Sequence, residues 1–178
     1  MRELLRSSFR WITNLVDDES YADVTGWWRD ADILEHVGPA LLDLFGDEQP
    51  TVVLGVQSRG ILLGALAARS AGVGLAEVRK NPSPSSDADP WWVASTPPDY
   101  RDTHIHLGVR KGLLRAGDRV LFVDDWIATG AQADACRRMV EMSGARWIGA
   151  AVAVDGLQDA GLRRRLGVRS LLHIRELG

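Results

Sequence analysis

Residues 120–132 of the chain read Val120-Leu121-Phe122-Val123-Asp124-Asp125-Trp126-Ile127-Ala128-Thr129-Gly130-Ala131-Gln132. The stretch begins with an apolar run rich in β-branched residues, which is too short for a helix and typical of a buried strand. Two adjacent carboxylates follow where the run stops, then a turn of small residues, and a helical pattern begins at Gln132. Because the first N–H groups of a helix are unpaired and carry the positive end of its dipole, this order predicts a phosphate cradle beside two acids.

On both sides of this stretch, apolar runs of strand length alternate with helical patterns. Further strands are predicted at 51–56, 75–78, 104–109, 147–154 and 168–174, and helices from Tyr21, at 32–45, 61–70, 133–143 and 157–166. Strands that are apolar on both sides and alternate with helices predict an α/β fold with a parallel sheet covered on both faces. Ligands bind beyond the carboxyl ends of such strands, so we expect the loops at 57–60, 80–102 and 124–131 to gather there.

Length and composition fit an ordinary soluble globular protein. A chain of 178 residues, 46% hydrophobic and 25% charged, is expected to form a single α/β domain. Its apolar runs are too short for a membrane span, and its first residues do not resemble a signal peptide. One cysteine, Cys136, excludes an internal disulfide framework and favours a cytoplasmic location. The net charge of −3 argues against general nucleic-acid binding, and Arg163-Arg164-Arg165 is interpreted as a solvated helix end.

Two further segments carry groups that suit an anion. Ser58-Arg59-Gly60 lies between a predicted strand and helix, where the guanidinium fork of Arg59 suits pyrophosphate oxygens and Gly60 frees the backbone. The alternative is an N-cap at Ser58 with Arg59 facing solvent. The next strand ends in Arg79-Lys80.

The segment from 81 to 102 is expected to act as a lid over the site. It contains five of the seven prolines and has no periodicity, and a loop of this length within a compact domain is usually functional. The adjacent Trp91 and Trp92 have two open interpretations, stacking on a planar ligand or folding into the core.

The stretch 120–132 resembles the phosphoribosyl-pyrophosphate signature of type I phosphoribosyltransferases, in which four apolar residues, two acids, two variable residues and a small-Thr-Gly turn follow one another. With Ser58-Arg59-Gly60 and Arg79-Lys80, the resemblance narrows to the adenine phosphoribosyltransferases. It implies a Rossmann-like type I phosphoribosyltransferase fold with an N-terminal hood (1–20) and a flexible lid (80–102). The donor contacts that it implies are Asp124, Asp125, Ala128, Thr129, Gly130, Ala131, Gln132, Ser58, Arg59, Gly60, Arg79 and Lys80.

The resemblance also implies residues at the acceptor site. Residues 9–13 look like the family's Phe-Arg-Asp-Ile-Thr hood segment, which places Phe9 and Arg10 near the base, although simple packing also explains Phe9. Asp99-Tyr100 resembles a Glu-Tyr pair of the family, which implies that Asp99 is the acid/base and Tyr100 a lid residue. The other catalytic residues that the resemblance implies are Asp125, at the ribose, and Arg59, at the pyrophosphate. The alternative for Asp99-Tyr100 is an ordinary turn, because Pro97 and Pro98 precede it.

The implied reaction transfers ribose-5-phosphate from phosphoribosyl pyrophosphate to a ring nitrogen of a purine-like base, with Mg²⁺ held through substrate and water near Asp124 and Asp125. The family also implies a homodimer. This chain departs from the family pattern at Trp11, which stands in place of an acid, at residues 81–84 after Arg79-Lys80, and at Ala131-Gln132, where Gly-Thr is usual. These departures keep two alternatives open: the same chemistry on a different heterocycle, and a non-catalytic regulatory protein that binds phosphoribosyl pyrophosphate.

Overall fold

The structure is a computed structural model that describes residues 1–13, 20–46, 48–83, 86, 88–97 and 104–178. Its helices are α1 (Arg2–Ser7), α2 (Thr25–Arg29), α3 (Ala31–Asp43), α4 (Arg59–Ala71), α5 (Ala131–Met142) and α6 (Ala160–Leu166). Its strands are β1 (Arg10–Thr13), β2 (Ser20–Asp23), β3 (Val52–Val56), β4 (Gly74–Lys80), β5 (Trp91–Ser95), β6 (His106–Arg110), β7 (Arg119–Ile127), β8 (Arg146–Asp155) and β9 (Val168–His173). Two 3₁₀ turns cover Lys111–Leu113 and Ile174–Glu176.

A seven-stranded sheet in the order β5-β6-β4-β3-β7-β8-β9 forms the centre of the fold. The pairs from β4 to β9 through β3, β7 and β8 are parallel, whereas β6 pairs antiparallel with both β4 and β5. The predicted α/β class with a mostly parallel sheet is therefore confirmed. Because β3, β4 and β7 are parallel neighbours, their carboxyl ends lie side by side at one edge.

Two apolar cores cover the two faces of this sheet. Alternate residues of each central strand enter opposite cores, as Leu54 and Phe122 do on one side and Val53 and Leu121 on the other. The first core includes α5 and the second includes α3 and α4. A fully buried side chain of this size stabilises the fold by about 1.5–3 kcal/mol, so both faces hold the strands in place. Cys136 is fully buried in the first core, as its helical setting predicts.

The N-terminal part forms a small hood beside the main sheet. Its strands β1 and β2 form an antiparallel hairpin in which Arg10 lies opposite Asp23 and Ile12 opposite Tyr21. Helix α2 follows and buries Trp27 completely, and the indole Nε1 of Trp27 donates to the carbonyl of Leu5 at 2.9 Å. This bond ties α1 to α2 and gives the hood a packed base. Across the described ranges, every helix falls short of the length and apolarity that a membrane crossing requires.

Several elements differ from the sequence-based prediction. The helix expected from Tyr21 is wrong, because residues 20–23 pair with β1 and the helix starts at Thr25. The interval 81–102 was expected to lack regular structure, but it contains strand β5. Backbone pairing to β6 from Trp91 to Ser95 holds this strand. Such pairing depends on a partner distant in sequence, so local composition did not reveal it.

Candidate active site

Asp124 and Asp125 lie inside β7, which continues past them because its pairing with β8 extends to Ile127. The backbone N–H of Asp125 donates to Oδ1 of Asp124 at 2.9 Å. Burial raises the pKa of Asp124 well above its ordinary value, and the neighbouring charge of Asp125 raises it further. Two carboxylates held this close favour a ligand that supplies hydroxyl groups or positive charge.

Arg59, the first residue of α4, faces this pair. Its Nη1 lies 3.1 Å from Oδ2 of Asp125, while about half of the arginine side chain (49%) remains exposed. The peptide bond before Ser58 is cis. Gly60 packs directly against Asp124: a Cβ at this position would lie 2.7 Å from Oδ1 of Asp124 and 3.1 Å from the carbonyl oxygen of Val123. Only glycine allows α4 to start so close to the carboxylate.

A cleft of about 270 Å³ opens above these groups at the carboxyl edge of the sheet. Lys80, at the end of β4, is held in it by a bond from its backbone N–H to Oε1 of Gln57 at 3.2 Å. The cleft is lined by Gln57, Ser58, Arg59, Lys80, Asp124, Asp125, Trp126 and Gln132. Cationic and acidic side chains thus meet in one cavity, as a charged sugar ligand with a bound cation requires.

The turn after β7 forms a second, smaller cleft of about 130 Å³. Gly130 precedes α5 in a left-handed conformation (φ 76°), and Leu162 packs against it. The N–H of Ala131 donates to Oγ1 of Thr129 at 3.3 Å. The cleft is lined by Phe122, Asp124, Trp126, Ile127, Ala128, Thr129, Gly130, Ala131, Gln132 and Ala133. Since the N-terminus of the twelve-residue α5 opens into this cleft, it suits an anion.

The hood approaches the site through aromatic side chains. Phe9 is nearly buried and stacks on Trp126 with ring centroids 6.2 Å apart and planes at 28°. Trp11 contacts both rings edge-on, with its centroid 5.1 Å from that of Phe9 and 6.2 Å from that of Trp126. We call Phe9, Trp11 and Trp126 the aromatic cluster. Phe9 therefore lies beside the cleft while serving as a packing residue.

Arg10 lies in a separate part of the hood, in an open cleft of about 450 Å³ that it shares with Asp23, Thr25 and Arg29. Hydrogen bonds from the hydroxyl and the N–H of Thr25 lower the pKa of Asp23, and the charges of Arg10 and Arg59 act in the same direction. None of the described residues that line this cleft also lines one of the two clefts around Asp124.

The remaining predicted residues differ in their placement. Arg79 is paired with Glu77, with Nη2 and Oε1 2.6 Å apart, and is not among the described residues that line the two clefts. Asp99 and Tyr100 lie outside the described residues. Trp92 packs against the first core with Lys111 Nζ 4.2 Å from its ring centroid, and Arg110 lies over Trp91. These contacts favour a packing role for Trp91 and Trp92 over stacking on a planar ligand.

Five residues that line the two clefts were not predicted as site residues: Gln57, Phe122, Trp126, Ile127 and Ala133. Trp126 lines both clefts, and its position two residues after Asp124 on one strand was a usable signal, because alternate strand residues share a face. Gln57 directly follows β3, but nothing in its local sequence indicates that its side chain accepts a hydrogen bond from the backbone N–H of Lys80. Arg163, interpreted as solvated, instead pairs with the buried Asp155 at 2.8 Å.

Comparisons with known proteins agree with this geometry. The family model described as phosphoribosyl transferase domain matches residues 30–174. An adenine phosphoribosyltransferase of Methylococcus capsulatus is 36% identical over 155 residues, covering 86% of this chain and 88% of that protein. The crystal structure of adenine phosphoribosyltransferase from Rhodothermus marinus superposes with a TM-score of 0.81 at 29% identity, over 97% of this chain and 98% of that one. The Saccharomyces cerevisiae enzyme, complexed with an imino-altritol bisphosphate and adenine, gives 0.81 at 25% identity, over 96% of this chain and 98% of that one.

The fold and the clefts at the carboxyl edge of the sheet define a type I phosphoribosyltransferase. The chain belongs to the phosphoribosyl transferase family, and within it the chain is most similar to the adenine phosphoribosyltransferases.

Proposed function

We propose that this enzyme transfers ribose-5-phosphate from phosphoribosyl pyrophosphate to a ring nitrogen of adenine or a closely related purine, releasing pyrophosphate, as a step of purine salvage. The observation that carries the proposal is the convergence of Arg59, Lys80 and the Asp124-Asp125 pair in one cleft, next to the N-terminus of α5. Relatives named adenine phosphoribosyltransferase cover most of the chain and support adenine as the first acceptor to test.

The donor would occupy both clefts. Its 5′-phosphate would accept hydrogen bonds from the backbone N–H groups of the turn 128–132, at the positive end of the α5 dipole. Asp124 and Asp125 would hold the ribose hydroxyls, and the pyrophosphate would lie against the segment 58–60 and Arg79-Lys80. Arg59 supports this assignment because its guanidinium is half exposed and can exchange its bond to Asp125 for pyrophosphate oxygens.

The donor groups in the cleft fit Mg²⁺. This ion prefers oxygen ligands and usually takes one or two carboxylates together with substrate phosphates and water, which matches the Asp124-Asp125 pair. Among the described residues no group of three or more His, Cys, Asp or Glu side chains could enclose a metal, so most ligands would come from substrate and water. When bound, the ion would neutralise charge on the pyrophosphate as it leaves.

Catalysis would rest on positioning and on charge, because the ribose–pyrophosphate bond breaks well before the base attacks and the sugar gains oxocarbenium character. Asp125 and Arg59 would hold the donor in the reactive arrangement. Asp99 would manage the ring proton of the purine, and Tyr100 would help to exclude water from the cleft. Phe9 and Arg10 would contact the base from the hood.

The cellular setting of the enzyme is also proposed. We expect it to act in the cytoplasm as a homodimer that takes only small-molecule substrates. The chain has a single cysteine and so lacks an internal disulfide, as is usual for proteins of a reducing compartment.

The test is pyrophosphate release from phosphoribosyl pyrophosphate and Mg²⁺ with a panel of purines, pyrimidines and other heterocycles. We expect release with adenine. Asp125→Asn should lower kcat by about 100-fold or more, since it removes a charge that acts in the transition state, and should leave the circular dichroism spectrum unchanged.

The same assay separates the alternatives. Release only with another heterocycle would reassign the acceptor. Tight binding of the donor without release for any base would identify a regulatory protein, and wild-type kinetics of Asp125→Asn would remove that carboxylate from the mechanism.

A further inference from the structure

Trp11 connects the hood to the end of the main sheet. Its indole Nε1 donates to the carbonyl oxygen of Leu177 at 2.8 Å. Leu177 belongs to what we call the tail segment, residues 174–178, which begins with a 3₁₀ turn directly after β9. Residue 11 is thus bonded to a segment 166 positions away in sequence, and this bond crosses from the hood to the sheet.

The tail segment is held at its start by a capping box and at Glu176 by an ion pair. Oε2 of Glu176 accepts the backbone N–H of His173 at 2.7 Å, and Nδ1 of His173 accepts the N–H of Arg175 at 3.1 Å, which closes a capping box. The other carboxylate oxygen of Glu176 forms an ion pair with Arg2 of α1. The tail segment therefore contacts the hood twice, once through Arg2 and once through Trp11.

Burial alone does not fix the orientation of Trp11, because 40% of its surface is exposed. What holds the indole is its bond to Leu177 together with its edge contacts to Phe9 and Trp126. Loss of the bond would leave the ring free to turn away from the aromatic cluster.

The aromatic cluster borders the place where the acceptor must lie. The two clefts share Asp124, Trp126 and Gln132, so the ribose of a donor that fills both passes this point. Trp126 is the large apolar side chain among the three, and Phe9 stacks on it. A planar base that approaches the ribose from the hood side would meet this aromatic surface, which suits stacking.

We propose that Trp11 is a positioning residue for the acceptor: through its bond to Leu177 it sets the aromatic cluster against the cleft, so that the tail segment controls acceptor affinity. The inference rests on the proposed function. It leaves donor binding unaffected, because the groups that line the donor clefts do not include Trp11.

The test is Trp11→Phe, which removes the indole N–H and keeps an aromatic ring. We expect the KM for adenine to rise about 3- to 10-fold, the equivalent of one hydrogen bond, while the KM for phosphoribosyl pyrophosphate stays within about 2-fold. Trp147→Phe is the matched control, because the Nε1 of Trp147 donates to the carbonyl of Leu166 at 2.9 Å in the same manner, and Trp147 itself lines neither cleft. It should change neither KM.

A second variant tests the route through the tail segment. Glu176→Gln weakens the contacts to Arg2 and His173, and it should raise the KM for adenine in the same direction. If both residues act through one contact, the double variant will be no worse than the more damaging single variant. Hydrogen exchange of the peptide 168–178 should become faster in Trp11→Phe and remain unchanged in Trp147→Phe.

Two results would overturn the inference while the proposed function stands: an unchanged KM for adenine in Trp11→Phe, or an equal rise in the KM of both substrates. If the wild-type protein released no pyrophosphate with any base of the panel, the proposed function itself would be overturned, and the inference with it.

Discussion

At the scale of single residues, the carboxylate pair combines burial with like charge. Asp124 is bonded by the N–H of Asp125 and packed against Gly60, so its carboxylate has little room to move away from its neighbour. Arg59 forms an ion pair with Asp125. The charge of Lys80 lowers the pKa of Asp124, but this only partly offsets the rise that burial causes. An arrangement of this kind binds a ligand well and costs the free protein stability.

Asp124→Asn should therefore stabilise the ligand-free protein at neutral pH. The pKa of Asp124 is raised on folding from an ordinary value of 3.8, so the folded state binds more protons than the unfolded chain, and stability falls as the pH rises through that interval. Asparagine carries no charge and keeps the Oδ1 acceptor. Thermal unfolding between about pH 3 and pH 8 should show a higher Tm for the variant at neutral pH and no gain at the acid end.

Glu35→Gln serves as the control, because Glu35 is exposed on α3. It should show no such trend with pH. A variant Asp124→Asn with the wild-type Tm at every pH would mean that the raised pKa of Asp124 has no consequence for stability.

At the scale of elements, the alternation of helices and strands was predictable because each central strand is apolar on both faces, as Val52–Val56 is. The departures arise where backbone pairing overrides composition. Strand β7 continues through Asp124 and Asp125 because β8 pairs with it as far as Ile127, and β5 forms in a proline-rich interval because β6 lies alongside. The position of the site loops could be predicted from the order of strands and helices. The aromatic cluster could not, because it joins hood residues to a residue of β7 that is distant from them in sequence.

The connection from β8 to α6 illustrates a contact that sequence did not indicate. Asp155 is only 6% exposed. Its carboxylate accepts two hydrogen bonds of 2.8 Å, one from Nε of Arg163 and one from the backbone N–H of Leu157. These bonds hold α6 so that Leu162 packs against Gly130, the residue before the phosphate turn's helix. The ion pair thus supports the turn from behind.

Arg163→Met should destabilise the protein by about 3 kcal/mol, because it leaves the carboxylate of Asp155 buried without its cation. For a chain of this length the Tm should fall by roughly 6–12 °C. Arg165→Met on the same helix is the matched control: its Nε lies 3.7 Å from Asp134 and its side chain is more than half exposed, so the loss should be about 1 kcal/mol or less. Equal Tm values for the two variants would contradict the structural role assigned to Arg163.

At the scale of the whole molecule, the donor site exists only in the folded chain. Its groups come from the start of α4, the end of β4, and the end of β7 with the turn into α5, and the sheet brings these segments together. The unfolded chain presents no such arrangement. A ligand that bridges the three segments must therefore shift the folding equilibrium towards the native state.

Phosphoribosyl pyrophosphate with Mg²⁺ should accordingly raise the Tm. At a ligand concentration of 100 times Kd the gain is about 2.7 kcal/mol, which corresponds to roughly 5–11 °C for a chain of this size. Differential scanning fluorimetry with and without a chelator measures the shift and its dependence on the metal. Because Asp124 and Asp125 would hold Mg²⁺ together with the donor, the chelator should remove most of the gain. A shift that persists in full would show that the donor binds through Arg59, Lys80 and the α5 N-terminus alone, and no shift at millimolar donor would contradict the donor site as assigned.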